Sequence, residues 1–197
     1  MVIEKSLQDI YLEVAASYGK VREVDGIPIE WGGDKGTTHS YLEHYAELLK
    51  PYRNKEVSLL EIGVQYGASL KSWKKYFKKG IITGLDIKPH CTKYEEDRIR
   101  VNIVDACNEE LVDETFGDET FDIIIDDGSH QLPDQLKAFE ILFSRLTKGG
   151  IYIIEDIQDL DSQQEHFEKL HESCEVIDIR HTKHKYDDVL VVYRKGN

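Results

Sequence analysis

The 197-residue sequence predicts an α/β fold: a seven-stranded, mostly parallel sheet with helices on both faces, an antiparallel last strand and a short helical N-terminal extension. From residue 57 onward, apolar runs typical of buried strands alternate with stretches of helical periodicity. This alternation indicates parallel strands joined by right-handed crossovers. The last two apolar runs are separated by a polar loop too short for a crossover helix, so we expect those two strands to pair antiparallel at the sheet edge.

The chain length fits a single domain over residues 1–197, with a helical extension over 1–50 and the sheet-containing core over 57–197. The extension shows helical periodicity over 3–18 and again over 41–49, separated by a glycine-rich loop at 31–36. Thr37 or Thr38 can cap the second of these helices. We expect the seven strands over 57–62, 80–86, 100–104, 121–126, 150–155, 175–180 and 188–193, and core helices over 69–77, 132–146 and 162–172.

The formal net charge of −13 argues against a nucleic-acid partner, because binding phosphates requires a clustered basic surface. The three cysteines are widely separated and form no CxxC pair, which favours free thiols over a zinc or disulfide site. No apolar stretch approaches the roughly 20 residues that span a bilayer, and the first residues lack an apolar signal-peptide core. We therefore expect a cytoplasmic protein with no membrane partner.

The first core strand runs directly into the segment Glu61-Ile62-Gly63-Val64-Gln65-Tyr66-Gly67-Ala68-Ser69. Its two glycines allow the backbone to approach a ligand closely, and the following helix start offers unpaired N–H groups. The spacing is neither the dinucleotide GxGxxG nor a phosphate-binding P-loop, and the acidic residue before the loop suits a ligand that carries an amino or sulfonium group. A tight turn without a ligand is the alternative interpretation.

Two further strand ends carry single carboxylates. Asp86 follows the second core strand about twenty residues beyond the glycine loop, where a carboxylate can accept both hydroxyl groups of a ribose. Asp105 follows the third strand and could accept a hydrogen bond from an adenine amine. A solvated aspartate at a strand end is the alternative interpretation of each position, and Asp105 is the weaker evidence of the two.

Paired carboxylates follow two strands: Asp126-Asp127 within the segment DDGSH, and Glu155-Asp156 thirty residues later. Neighbouring strands lie about 4.8 Å apart and ligands bind beyond their carboxyl ends, so these side chains can converge on one point. The pleat points Asp126 and Asp127 in opposite directions, so we expect only one of them to face this point. Such a cluster either binds a metal ion or repels itself.

These motifs resemble those of class I S-adenosylmethionine-dependent methyltransferases: the 61–67 loop, Asp86 and the Leu146-Thr147-Lys148-Gly149-Gly150 turn. More narrowly, Asp34-Lys35-Gly36-Thr37-Thr38-His39, the DGSH segment and Glu155-Asp156 resemble the metal-dependent O-methyltransferases that act on macrolide and aminocoumarin deoxysugars. The resemblance extends over about residues 31–193 and implies a Rossmann-like sheet, with the N-terminal extension lying over the cofactor.

The resemblance also implies roles for individual residues. Asp127, Glu155 and Asp156 would be ligands of Mg²⁺ or Mn²⁺, with Asp127 and His130 as catalytic residues and His130 as the general base. Hard oxygen ligands suit Mg²⁺, whereas zinc would prefer nitrogen or sulfur. The residues implied to bind S-adenosylmethionine are Lys35, Thr38, His39, Glu61, Gly63, Tyr66, Gly67, Ser69, Asp86, Ile87, Asp105, Ala106 and Asp126.

The resemblance therefore implies an S-adenosylmethionine-dependent O-methyltransferase that methylates a sugar hydroxyl, with a deoxyhexose such as rhamnose as the expected acceptor. Trp31, Tyr41 and Tyr45 could line the sugar pocket, although core packing explains them as well. Alternatives are a catechol-type O-methyltransferase and a cofactor-binding module without catalysis. A homodimer, or a module of a larger glycan-synthesis polypeptide, is compatible with the sequence.

Overall fold

The computed structural model describes residues 4–18, 21–24, 27–30, 33–36 and 38–196, with the backbone alone for the segments between 21 and 30. The strands are β1 (Val21–Val24), β2 (Ile27–Glu30), β3 (Ser58–Ile62), β4 (Ile81–Asp86), β5 (Ile99–Ile103), β6 (Phe121–Asp126), β7 (Leu146–Ile154), β8 (Glu175–Asp178) and β9 (Val189–Arg194). The helices are α1 (Leu7–Ser17), α2 (Leu42–Leu49), α3 (Ala68–Tyr76), α4 (Glu109–Phe116), α5 (Leu132–Leu142), α6 (Leu160–Glu168) and the single turn α7 (Arg180–Lys183). Short 3₁₀ turns cover Lys50–Tyr52, Pro89–Tyr94 and Phe143–Arg145.

Seven of the described strands form one sheet in the order β5-β4-β3-β6-β7-β9-β8. The strands β3 to β7 are parallel, whereas β9 runs antiparallel to both of its neighbours, β7 and β8. This confirms the predicted mostly parallel sheet with an antiparallel last strand. From β3 the chain adds β4 and then β5 on one side of the sheet. It then returns to place β6 and the later strands on the other side of β3. The carboxyl ends of β3 and β6 therefore flank the switch point at which open α/β sheets bind ligands.

The two faces of the sheet carry separate apolar cores. Residues of α1, α2 and α3 pack on one face together with alternate strand residues such as Ile123 and Ile125. Residues of α4, α5 and α6 pack on the other face, where Ile124 points. Strands covered on both faces must be apolar throughout, which explains the uninterrupted Ile123-Ile124-Ile125 run.

The N-terminal extension differs from the prediction in two respects. Residues 21–24 and 27–30 form an antiparallel two-stranded ribbon, which was not predicted. The helix α2 begins at Leu42 with Tyr41 as its N-cap and without a side-chain cap, so the prediction that Thr38 caps this helix was wrong. Trp31, Gly32 and Thr37, which the sequence analysis also used, lie outside the described residues. The helix predicted over 3–18 is present as α1, but it begins only at Leu7, after a capping box formed by Ser6 and Asp9.

Within the described part of the chain, no helix combines the length and the apolarity that crossing a membrane requires. The helix predicted over 132–146 ends at Leu142 and continues as a 3₁₀ turn, because β7 already begins at Leu146. These differences leave the carboxyl edge of the sheet as expected.

Candidate active site

A cavity of about 410 Å³ opens at the carboxyl ends of β3, β4, β5 and β6. The loops that follow these strands line the cavity, and so do residues 33–35 and Tyr11 of α1. The volume falls within the range of about 300–1,000 Å³ that is typical of small-molecule sites. The N-terminal extension therefore contributes directly to the wall of the cavity.

The glycine loop after β3 needs its glycines for close backbone packing. Gly63 has a φ angle of +90°, and a Cβ atom there would lie 1.9 Å from the carbonyl oxygen of Asp127. Gly67 has a φ angle of +69° and is the N-cap of α3, where a Cβ atom would collide with the ring of Tyr94. The loop is thus pressed between β6 and the Tyr94 ring, and only glycine fits at these two positions.

Glu61 lies behind the loop rather than on the cavity wall. Its side chain is fully buried, accepts a hydrogen bond from the Ser69 hydroxyl at 2.7 Å and lies 3.6 Å from the ammonium group of Lys35. Burial raises the pKa of Glu61 to about 7, although Lys35 opposes this. Glu61 therefore supports the loop and the buried lysine.

Asp86 binds the backbone of the same loop. One of its carboxylate oxygens accepts hydrogen bonds from the amides of Val64 and Gln65, at 2.9 and 3.1 Å, and the other accepts one from Lys88 at 2.8 Å. Burial raises the pKa of Asp86, but the three amides outweigh it and leave the pKa below its ordinary value. Asp86 is therefore an ionised acceptor on the cavity wall, the character that recognition of a ribose requires.

Most of the residues implied to bind the cofactor meet at this cavity, and four do not. Those on the wall are Lys35, Gly63, Tyr66, Ser69, Asp86, Ile87, Asp105, Ala106 and Asp126. Those that are not are Thr38, His39, Glu61 and Gly67. Thr38 is exposed. These four residues belong to the same sequence motifs as residues on the cavity wall, but they do not line the cavity themselves.

Lys35 occupies the centre of the acidic residues. Its side chain is almost fully buried, and its ammonium group lies 2.5 Å from Asp127 Oδ2 and 2.7 Å from Glu155 Oε1. Burial alone would lower the pKa of Lys35, but the carboxylates of Asp127 and Glu155 outweigh it and hold the pKa well above its usual value. Lys35 therefore places a positive charge next to the carboxylates of Asp127 and Glu155.

Asp127, His130 and Asp156 offer ligand atoms that all lie within 4.8 Å of one another. The imidazole Nε2 of His130 lies 3.8 Å from Asp127 Oδ1 and 3.7 Å from Asp156 Oδ2. Asp127 and His130 also line the cavity, so this group connects the cavity with the end of β7. We call these three residues the Asp127–His130–Asp156 cluster.

The two carboxylates after β6 separate as the pleat predicts. Asp127 belongs to the cluster, whereas Asp126 is buried and accepts a hydrogen bond from the Gly128 amide at 3.2 Å. Burial raises the pKa of Asp126 to about 7. Its second oxygen, Oδ2, is buried without a hydrogen-bond partner within the described part of the chain.

Glu155 is adjacent to the cluster, although its contacts are different ones. Its Oε1 accepts hydrogen bonds from Lys35 and from the Tyr45 hydroxyl, and its backbone carbonyl accepts one from Gln135 at 2.9 Å. Burial is the main cause of the strongly raised pKa of Glu155. The structure therefore brings Asp127 and Asp156 together directly and links Glu155 to Asp127 through Lys35.

Backbone strain is concentrated at the same place. Among the described non-glycine residues, five have a positive φ angle, and three of these are Gln65 at 47°, His130 at 59° and Asp156 at 57°. Such conformations cost about 1–3 kcal/mol each and persist only where surrounding contacts enforce them. Strain at the cluster and in the glycine loop is typical of a functional site.

The residues present fit a divalent cation. Two carboxylate groups and an imidazole offer converging ligand atoms, and the Nδ1 atom of His130 is buried without a described partner. Oxygen donors of this kind suit Mg²⁺ and Mn²⁺, which keep further coordination positions for water or a substrate hydroxyl. An ion here would be held by Asp127 and Asp156, with Glu155 and His130 within the same group of side chains.

Several residues that contribute to the site were not predicted from the sequence. Tyr11 lines the cavity from α1, Gln135 binds the Glu155 carbonyl, and buried Asp188 binds His39 Nδ1 at 2.5 Å. Lys183, the last residue of α7, donates a hydrogen bond of 2.8 Å to the His39 carbonyl. Helical periodicity could have placed Tyr11 on a buried face, but no sequence signal pairs Asp188 with His39 across 149 positions.

Comparisons with known proteins are consistent with this geometry. A family model described as a methyltransferase domain matches residues 59–192. The 8-demethyl-8-alpha-L-rhamnosyl tetracenomycin-C 2'-O-methyltransferase of Streptomyces olivaceus is 35% identical over 154 residues, which are 74% of this chain and 40% of that protein. The demethylmacrocin O-methyltransferase of Streptomyces fradiae is 41% identical over 135 residues, 62% of this chain and 33% of that protein.

Solved structures are similar over nearly the whole chain. The MycE methyltransferase of the mycinamycin biosynthetic pathway, in complex with Mg, SAH and mycinamycin VI, has a TM-score of 0.75 and 26% identity, covering 98% of this chain and 54% of that one. The Methanococcus jannaschii fibrillarin pre-rRNA processing protein has a TM-score of 0.59 at 17% identity, covering 90% of this chain and 83% of that one, which shows the fold alone. This chain spans less than half the length of the two curated relatives.

Proposed function

This chain belongs to the methyltransferase-domain family, and we propose that it transfers a methyl group from S-adenosylmethionine to a sugar hydroxyl with the help of a divalent metal ion. The observation that carries the proposal is the position of the Asp127–His130–Asp156 cluster, which borders the cavity behind the glycine loop. S-adenosylmethionine in this cavity and a metal ion at the cluster would bring a hydroxyl next to a methyl donor, because Asp127 and His130 of the cluster line the cavity.

The cavity supports the cofactor assignment by its chemistry. The carboxylate of Asp86 is available to a ribose, and Asp105 and Ala106 line the region after β5 where an adenine would lie. Gly63 and Asp127 also line the cavity, so that a backbone segment and a carboxylate group are available to a ligand that carries a sulfonium charge. Acidic walls favour a cationic sulfonium over a pyrophosphate.

His130 supports the assignment of a general base. Its Nε2 lies within 4 Å of a carboxylate oxygen of Asp127 and of Asp156, at the place where the proposed metal ion would bind. A divalent ion bound by the neighbouring carboxylates would make a coordinated hydroxyl more acidic. His130 Nε2 would take the proton of the sugar hydroxyl, the sugar oxygen would attack the methyl carbon in line, and the carbon–sulfur bond would break to leave S-adenosylhomocysteine with an uncharged sulfur.

The acceptor class rests on the relatives rather than on the geometry. One relative is named for a rhamnosyl acceptor, and the MycE complex contains mycinamycin VI. We propose a deoxyhexose such as rhamnose, on a metabolite or a glycan. A cytoplasmic location, a homodimer and membership of a larger glycan-synthesis polypeptide are part of the same proposal, as is a single domain over residues 1–197.

The test begins with calorimetric titration of S-adenosylmethionine, followed by methyl transfer to a panel of rhamnosides and a catechol, with Mg²⁺ and then with a chelator. We expect cofactor binding in both conditions and transfer to a rhamnoside only with the metal. Lack of cofactor binding would overturn the proposal, and metal-independent transfer would remove Asp127, Glu155 and Asp156 as metal ligands. Preferred transfer to the catechol would support the catechol-type alternative.

The variant His130→Ala separates catalysis from binding. Loss of a general base typically slows transfer by about 10²–10⁴-fold, while cofactor affinity should stay unchanged. The variant His166→Ala is the matched control, since His166 is exposed on α6, away from the cavity. Transfer by His130→Ala at the rate of the control would show that another group removes the proton.

A further inference from the structure

Two buried tyrosines on one helix face bind the Glu155-Asp156 pair. The Tyr41 hydroxyl lies 2.6 Å from Asp156 Oδ1, and the Tyr45 hydroxyl donates to Glu155 Oε1. Tyr41 is the N-cap of α2 and Tyr45 lies one turn further, so both side chains point to the same side. Both tyrosines are completely buried.

We propose that Tyr41 and Tyr45 are positioning residues that orient the Glu155-Asp156 carboxylates for metal binding, and that Tyr41 makes the larger contribution. The inference rests on the proposed function, because it assumes that a divalent ion binds at the Asp127–His130–Asp156 cluster. Residues that orient metal ligands through hydrogen bonds commonly matter nearly as much as the ligands themselves.

The geometry at Asp156 explains the larger role of Tyr41. The hydroxyl of Tyr41 is hydrogen-bonded to Oδ1 of Asp156. The other oxygen of Asp156, Oδ2, faces His130 and lies 3.7 Å from its Nε2 atom. His39 also approaches Oδ1, at 3.6 Å, but its Nδ1 is held by Asp188 at 2.5 Å. Tyr41 is therefore the described side chain that fixes which oxygen of Asp156 is presented to the cluster.

The backbone of Asp156 makes this contact more important. Asp156 has a φ angle of 57°, a conformation that a non-glycine residue keeps only when its surroundings enforce it. The hydroxyl of Tyr41 also lies 2.9 Å from the backbone carbonyl of Asp187, which ties the helix start to the turn before β9. One hydroxyl group thus connects α2, the end of β7 and the start of β9.

Glu155 is held by two donors, so Tyr45 is partly redundant. Lys35 lies 2.7 Å from the same Oε1 atom that Tyr45 binds. When the Tyr45 hydroxyl is removed, the ammonium group still neutralises and orients Glu155. The effect of Tyr45 on metal affinity should accordingly be smaller than the effect of Tyr41.

The test compares Mn²⁺ affinity, measured by electron paramagnetic resonance titration without acceptor, among Tyr41→Phe, Tyr45→Phe and the control Tyr193→Phe. Tyr193 is also fully buried, and its hydroxyl donates to the Phe167 carbonyl at 2.9 Å, on the other face of the sheet. We expect Tyr41→Phe to weaken Mn²⁺ binding by about 10- to 100-fold. Tyr45→Phe should weaken it by about threefold or less, and the control should leave it unchanged.

A double-mutant cycle distinguishes positioning from a general structural role. In an Asp156→Asn background, Tyr41→Phe should cause no further loss of Mn²⁺ affinity, because it acts through that carboxylate. Affinity for S-adenosylhomocysteine, which uses the other side of the cavity, reports that each variant is folded. Wild-type affinity in Tyr41→Phe, or an additive cycle, would overturn the inference, whereas absence of Mn²⁺ binding in the wild type would overturn the proposed function.

Discussion

At the scale of single residues, the most unusual feature is the buried ammonium group of Lys35 among three carboxylates. Asp127 and Glu155 contact it directly, and Glu61 lies 3.6 Å away. A buried carboxylate without a counter-charge would be costly, so Lys35 allows this acidic group to exist before a metal ion is bound. Lys35 is therefore important for the folding of the site as well as for its chemistry.

The variant Lys35→Met should destabilise the protein by about 3–5 kcal/mol in a chelator, because it leaves buried carboxylates without their partner. Urea unfolding monitored by circular dichroism measures this. Lys78→Met is the control, since Lys78 is 69% exposed in its ion pair with Glu4 and surface pairs contribute about 0–1 kcal/mol. Equal stability of the two variants would contradict the role assigned to Lys35.

Asp126 gives a prediction for pH dependence. Burial raises its pKa from 3.8 to about 7, so its favourable contribution is complete below about pH 4 and is lost as the pH rises through 7. Asp126→Asn removes this ionisation, and its stability relative to the wild type should increase by roughly 2–4 kcal/mol between pH 4 and 8. Unfolding in a chelator measures the difference, with exposed Asp118→Asn as the control. A difference that does not change with pH would show that Asp126 is already ionised in the folded protein.

At the scale of elements, the turn between β3 and α3 determines how closely the glycine loop can approach β6. Gly63→Ala places a Cβ atom 1.9 Å from the Asp127 carbonyl oxygen. The Cβ atom is fixed directly to the backbone and the oxygen is part of it, so relieving this clash requires a backbone shift that costs folding free energy. We expect loss of S-adenosylmethionine binding and a markedly lower melting temperature, measured by calorimetry and thermal denaturation. Gly117→Ala is the control, because Gly117 also has a positive φ angle but nothing lies within 4 Å of its Cβ position. Normal cofactor binding in Gly63→Ala would contradict the tight packing described here.

The elements that could be predicted from the sequence are those whose apolar pattern is continuous and buried. The strand β6 was predicted with its observed bounds because exposing the apolar side chains of Phe121-Asp122-Ile123-Ile124-Ile125 to water would be unfavourable. The ribbon over 21–24 and 27–30 was missed, although an Asp-Gly pair between two short apolar runs is a recognised hairpin signal. A capping residue was sought at 37 or 38 because helix starts usually need one, whereas α2 begins without such a side chain.

The site was predictable only as far as strand topology determines it. Asp86, Asp127 and Asp156 lie at or just after strand ends, and parallel pairing brings such positions to one edge whatever the loops do. The contacts of Tyr41 and Lys35 depend on how the N-terminal extension folds over that edge. Their partners lie 115 and 120 positions away, and no periodicity in the sequence reports such pairings.

At the scale of the whole molecule, the cavity joins the sheet and the N-terminal extension into one binding unit. Its wall combines loops after β3, β4, β5 and β6 with Tyr11 of α1 and residues 33–35. A ligand that fills the cavity therefore contacts both halves at once. Binding should stabilise the molecule as a whole rather than one loop.

S-adenosylhomocysteine at about 100 times its dissociation constant should stabilise the fold by about 2.7 kcal/mol, which raises the melting temperature by roughly 5–10 °C. Thermal denaturation with and without a chelator measures this shift. We expect the same shift in both conditions, because residues that we propose to contact the cofactor, such as Asp86 and Ala106, line the cavity but lie outside the Asp127–His130–Asp156 cluster. NADH at the same concentration is the matched control, since the loop lacks the GxGxxG spacing and its acidic surroundings repel a pyrophosphate. A shift with NADH equal to that with S-adenosylhomocysteine would show that the cavity recognises a nucleoside without selecting the sulfur-linked cofactor, and no shift with either would overturn the proposal that this chain binds S-adenosylmethionine.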